Sequence, residues 1–161
     1  MTAPHEVLNA APGREAEAML ERCCGSARWV QAMLARRPFA SLAELEAAAD
    51  GEWARLAPDD WREAFGKHPR IGADAGAGWS REEQSAARRG DPATLDAIRE
   101  GNRAYEERFG HVFLVCATGK SAAEILAALR ARLAHDPHVE LRVAAAEHAR
   151  ITRLRLEKLA R

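Results

Sequence analysis

DPHVELRVAAAEHARITRLRLEKL, residues 136–159, decides the fold. Asp136-Pro137 caps a helix that runs to about Leu159, with proline at a position where its missing N–H costs nothing. Leu141, Ala144, His148, Ile151 and Leu159 fall on one stripe at helical spacing. Working outward, Ser121-Ala-Ala-Glu124 is a capping box that opens a helix to about Ala134, and Asp91-Pro92 caps another to about Arg108. Ser80-Arg-Glu-Glu83 and Ser41-Leu-Ala-Glu44 read as further boxes, the latter opening a helix to about Asp50. Pro58 begins a helix through Trp61 and Phe65 that stops near Lys67, ahead of Pro69. Residues 14–36 read as one helix, with Met19, Cys23, Ala27, Val30 and Leu34 on its stripe and Arg36-Arg37-Pro38 as its end. Only residues 110–116 look strand-like, and periodicity leaves a short buried extended segment or a helix end open. The expectation is an all-α fold: a single domain over residues 1–161, an irregular bundle of about seven or eight helices.

Composition narrows the function classes. Of 161 residues, 47% are apolar and 30% charged, so one real core can form. Lys plus Arg is 24 and Asp plus Glu is 24. Zero net charge gives no general field to steer nucleic acid or an anionic membrane, and neither is expected as a partner. The basic tail (Arg150, Arg153, Arg155, Lys158, Arg161) reads as a solvated helix end whose cations suit the dipole, Arg155 excepted. Cys23, Cys24 and Cys116 form no disulfide framework and no CxxC, so buried reduced thiols are expected. No apolar run reads as a signal peptide or a membrane span, and the chain does not end in a Ser-Lys-Leu tripeptide, so a cytoplasmic location is expected.

Few residues can carry chemistry. His68 lies between a helix end and the glycine-rich stretch 69–79, held by a scaffold yet near solvent. Its imidazole suits a general acid or base, although a loop histidine taken alone is more often polar surface. Ser80, Glu83 and Gln84 share one helical turn near an N-terminus, where backbone N–H groups favour an anion. Ser80 and Glu83 can also serve only as caps, but Gln84 adds an amide that a cap does not need. Arg155 sits within the apolar stripe of the last helix, so it needs an anionic partner or an exit to water. His135 and His138 around Asp136 read as a solvated turn, because no third ligand stands at a metal-binding spacing. There is no phosphate-binding glycine fingerprint and no Gly-x-Ser-x-Gly elbow. Trp29, Trp53, Trp61 and Trp79 read as core or lid residues.

Taken in order, these pieces resemble a known family. They are Cys23-Cys24-Gly-Ser26-x-x-Trp29, Arg37-Pro38-Phe39, His68-Pro69-Arg70-Ile71-Gly72 and Ser80-x-x-Glu83-Gln84. Asn102-x-x-Tyr105-x-x-x-Phe109-Gly110, Phe113-Leu-Val-Cys116-Ala117 and Leu154-Arg155-Leu156 follow. From about Leu8 to Leu156 the chain is similar to the 2-oxo-4-hydroxy-4-carboxy-5-ureidoimidazoline (OHCU) decarboxylases of urate breakdown. The resemblance implies a cofactor-independent, metal-free carboxy-lyase of all-helical fold, commonly a homodimer, acting on a small ureide to give (S)-allantoin and CO2. It implies catalytic roles for His68, Glu83 and Arg155. It implies substrate-binding roles for Pro69, Ser80, Gln84 and the segment Phe113, Leu114, Val115, Cys116 and Ala117. Many relatives carry Arg where Thr118 stands, and Lys120 is expected to supply that charge. Two rival readings make different demands. A helical binding module would show a bare apolar groove with these residues apart, and a ureide hydrolase would release ammonia or urea.

Overall fold

The computed structural model describes residues 1–71 and 79–161, the side chain of Ser80 excepted. The described residues form helices and no strand: α1 (Pro4–Ala10), α2 (Gly13–Cys23), α3 (Ala27–Ala35), α4 (Leu42–Ala54), α5 (Pro58–Phe65), α6 (Trp79–Glu83), α7 (Pro92–Phe109), α8 (Ala122–Leu133) and α9 (Pro137–Glu157), with 3₁₀ turns at Ala87–Arg89 and Lys158–Ala160. They cluster into two compact units, Met1–Ala64 with Ala149–Arg161, and Phe65–His148.

In the first unit, Leu8, Leu20, Trp29, Met33, Leu45 and Leu156 are fully buried, each contributing ~1.5–3 kcal/mol of burial. The single helix expected over residues 14–36 is in fact two. Cys24 is extended (φ −151°, ψ 126°), ending α2, and the Ser26 side chain accepts the Trp29 N–H at 3.3 Å to cap α3. The expected stripe is not the buried face: of its members only Cys23 and Val30 are buried, Met19 and Leu34 are half-buried and Ala27 is exposed, while Leu20, Trp29 and Met33 fill the core. At Ser41 the expected cap forms, its hydroxyl accepting the Glu44 N–H at 3.0 Å, and α4 outruns the expected Asp50 to reach Ala54. Helix α1, not foreseen, is tied from a distance. Arg37 Nη1 donates to the carbonyls of Leu8 and Ala11, both at 2.8 Å, and Asn9 exchanges two hydrogen bonds with the Phe39 backbone. Of the basic tail, Arg150, Arg153 and Arg161 are exposed as expected, Arg153 also pairing with Asp50, whereas Lys158 is buried; Arg155, set apart from that reading, is buried too.

The second unit is built on α7 against α8. Ile98, Tyr105, Phe113, Ile125 and Leu129 centre its core, with Ile71, Ala87 and Val115 around them. Both helices are capped where expected: Asp91 Oδ1 accepts the Thr94 N–H at 3.0 Å, and Ser121 and Glu124 form a reciprocal box. Gly101 lets the helices approach: a Cβ there would lie 2.5 Å from Leu129 Cδ2. Helix α6 differs from expectation. It starts at Trp79 and has five residues, so Ser80 stands inside it and Glu83 closes it rather than capping its start. Residues 112–116 are neither helix nor strand; they form a buried irregular segment.

Candidate active site

Most of the expected site residues belong to the second unit. Helix α5 ends at Phe65, and the His68 N–H turns back to the Phe65 carbonyl at 3.1 Å. Pro69 then steers the chain out of helical geometry, leaving His68 and Pro69 half-buried. The next two residues are clamped to α7, one turn apart. Buried Asn102 donates Nδ2 to the Ile71 carbonyl at 2.7 Å, and Arg70 Nε reaches both Glu106 oxygens, at 3.1 and 2.9 Å. The His68 ring meets the fully buried ring of His148 edge-on, with centroids 4.8 Å apart and planes at 87°. Phe65 lies against the same His148 ring.

Glu83 and Gln84 are 8% and 4% exposed. Glu83 lies within electrostatic reach of Cys116. Burial pushes the Cys116 thiol up, Lys120 opposes this, and the Glu147 and Glu83 carboxylates add to the rise. The segment Phe113 to Ala117 is buried throughout and is bounded by two left-handed glycines. Gly110 (φ 78°) closes α7 with its N–H on the Glu106 carbonyl, and Gly119 (φ 77°) turns the chain so that the Lys120 N–H reaches the Ala117 carbonyl at 2.9 Å. Glycine suits both positions because a side chain disfavours that region. Between them the backbone is anchored by side chains. Arg132 Nη1 donates to the Leu114 carbonyl, the Cys116 N–H donates to Glu147 Oε1 at 3.2 Å, and Lys120 Nζ donates to the Cys116 carbonyl at 2.8 Å. The lysine expected to replace a missing arginine therefore holds this backbone.

Arg155 belongs to the first unit. It is 9% exposed, and its Nη1 donates to the Arg22 carbonyl at 3.1 Å. Burial pushes the Cys24 thiol up to about 12, and the nearby Arg155 charge offsets only part of that rise. The second unit thus brings His68 to His148 and Glu83 to Cys116, while Arg155 is held in the first. Ser80's side chain and residues 72–78 lie outside the described residues. His135 is not simply solvated, since its Nδ1 lies 3.1 Å from buried Glu140. The roles of His148, Glu147, Arg132 and Asn102 are not foreseen from the motifs. The available signal was a polar residue at a core-facing position, which His148 shows plainly on its stripe.

A family model described as OHCU decarboxylase matches residues 9–157. The chain belongs to the OHCU decarboxylase family. It is 34% identical over 145 residues to the uric acid degradation bifunctional protein TTL of Arabidopsis thaliana, covering 85% of this chain and 45% of that protein. Against the 2-oxo-4-hydroxy-4-carboxy-5-ureidoimidazoline decarboxylase of Amia calva it is 34% identical over 154 residues, covering 88% of this chain and 83% of that one. The chain thus spans under half of the Arabidopsis protein and most of the Amia one. A crystal structure of an OHCU decarboxylase in the presence of (S)-allantoin superposes with a TM-score of 0.78 at 32% identity, covering 92% of this chain and 98% of that one. The all-helical expectation holds for the described residues. None of their helices is long and apolar enough to cross a membrane.

Proposed function

We propose that this chain converts OHCU to (S)-allantoin and CO2 in urate catabolism, as a cofactor-independent carboxy-lyase. The observation that carries this reading is the family match across residues 9–157, which includes the His68-Pro69, Glu83-Gln84 and Phe113–Ala117 motifs. A homodimer is proposed on the family resemblance.

The chemistry follows from the substrate. Its carboxylate stands on a carbon next to a C=N carbon, so the imine receives the electron pair as the C–C bond to CO2 breaks. The substrate holds its own electron sink, and the reaction asks for none from a cofactor. One proton is taken up overall. The enzyme must hold the carboxylate out of the ring plane and protonate one face of the carbon that becomes the allantoin stereocentre. His68 orients the carboxylate and moves a proton at that carbon. Its half-buried place beside His148 supports a ring that is held but reachable. Glu83 accepts a hydrogen bond from the 4-hydroxyl as that group becomes a carbonyl. Ser80 and Gln84 bind polar edges of the ring and ureido group, and Pro69 shapes the turn that presents His68. The backbone of Phe113 to Ala117 takes the amide-like atoms. Arg155 is assigned to the substrate on the family resemblance. Three buried cysteine thiols, none in a disulfide, support a reducing, cytoplasmic location.

The experiment mixes the purified protein with freshly generated OHCU and follows CO2 release and product circular dichroism. The wild type should yield one enantiomer with CO2. His68→Asn should keep its far-UV signal, lose about a hundredfold or more in rate, and leave nearly racemic product from spontaneous decay. Release of ammonia or urea in place of CO2, or an undiminished and stereospecific His68→Asn, would overturn the proposal.

A further inference from the structure

We propose that Arg132 is a positioning residue for the substrate-binding backbone: it fixes the Leu114–Val115 peptide so that the Val115 N–H faces away from the guanidinium and is presented to the ureide. This rests on the reading that Phe113 to Ala117 contact substrate.

The guanidinium is held from several sides. Its Nε donates to both oxygens of Glu140, at 3.1 and 2.9 Å, and its Nη2 to Glu140 Oε2 at 2.6 Å. Glu140 is itself held by the Tyr105 hydroxyl and faces His135 Nδ1 at 3.1 Å. A planar fork bound bidentately has little freedom to swing. Its remaining edge, Nη1, falls on the Leu114 carbonyl. The Phe113 ring packs against the guanidinium, its centroid 4.6 Å from the central carbon.

The neighbouring peptides are held in the same manner. Glu147 takes the Cys116 N–H, and Lys120 donates to the Cys116 carbonyl. These peptide bonds are trans, and a trans peptide points its N–H opposite to its C=O. Each anchor therefore turns the other half of its peptide away from itself. The groups so directed are the Val115 N–H, the Val115 C=O and the Ala117 N–H. Donor, acceptor and donor then follow one another, matching the alternating C=O and N–H groups of a ureide. Stability alone does not explain the buried Arg132–Glu140 pair, since a well-packed apolar replacement is often as stable. Directing a peptide is something an apolar core cannot do.

The test uses the full chain and OHCU. Arg132→Lys keeps a cation for Glu140 but cannot span both Glu140 and Leu114. Its KM should rise about tenfold, the worth of one well-placed hydrogen bond, with kcat changed far less. Gly101→Ala, which disturbs the α7–α8 contact without touching the segment, should lower the melting temperature and leave KM unchanged. If Arg132→Lys does not fold, the double variant Arg132→Met with Glu140→Leu removes both charges and should show the same rise. A folded variant with wild-type KM, an equal rise in Gly101→Ala, or failure of both Arg132 variants to fold overturns the inference alone. A wild type that does not decarboxylate OHCU overturns the functional reading and this inference with it.

Discussion

Replacing Glu140 by Gln changes one buried charge and almost no volume. Glu140 is fully buried and accepts from Arg132 and Tyr105, with His135 beside it. Burial pushes its carboxyl up, but the Arg132 hydrogen bonds, the Tyr105 hydroxyl, the Arg132 charge and His135 together hold it below its ordinary value of 4.5. The amide keeps one oxygen for Arg132 but leaves the guanidinium without its counter-charge. Removing one partner of a buried pair costs ~3–5 kcal/mol, and the retained acceptor places the variant near the lower end, ~3 kcal/mol. For a chain of this size that lowers the melting temperature by about 6–12 °C. The pH dependence supplies a second readout. A carboxyl depressed by folding stabilises the native state above its unfolded value and loses that contribution as pH falls through the folded one. Wild-type stability should therefore decline as pH drops below about 4.5, and the variant should lack that part of the decline. Urea unfolding followed by circular dichroism between about pH 3 and pH 7 spans that window and measures both. A variant as stable as wild type at neutral pH, or one with an unchanged acid slope, would refute the reasoning.

Three further outcomes are expected. Gly101→Ala gains ~1 kcal/mol of helix propensity but drives a Cβ to 2.5 Å from the buried Leu129 side chain, an overpacking cost of ~1–3 kcal/mol. Net destabilisation by about 1 kcal/mol should appear in urea melts, and a stabilised variant would contradict the close α7–α8 approach. Glu83→Gln should fold normally and lose about a hundredfold in kcat/KM, and a loss under about twofold would remove Glu83 from the chemistry. Exhaustive chelation should leave turnover intact, because the substrate carries its own electron sink; loss with EDTA and rescue by a divalent ion would count against the mechanism.

Local chemistry made much of the fold legible. Asp91 and Ser121 cap the helices they were expected to cap, because a cap is a bond between residues three apart. Where distant partners decided the outcome, no local pattern foretold it. The stripe from Met19 to Leu34 assumes unbroken helical phase, and the extended Cys24 breaks it, so that Ala27 is exposed and Trp29 and Met33 are buried instead. Helix α1 is tied by Arg37 and Phe39, residues outside its own segment. At Ser80 the capping pattern was present but out of frame, because α6 begins at Trp79 and Ser80 stands inside it. The site divides along the same line. The ordered motifs pointed to His68 and Glu83, while the His148 ring against His68 and the Arg132 contact to Leu114 are products of tertiary packing.

The buried cysteines make the protein its own probe of opening. With the Cys24 thiol pushed up to about 12 by burial, it is held as the unreactive thiol near neutral pH, so alkylating reagents find little nucleophile in the native state. Burial also pushes the Cys116 thiol up, with Lys120 opposing. Cys24 lies in the first compact unit and Cys116 in the second. Peptide-resolved labelling of the adjacent Cys23 and Cys24 and, separately, of Cys116 would therefore time the opening of each unit, without any introduced tag.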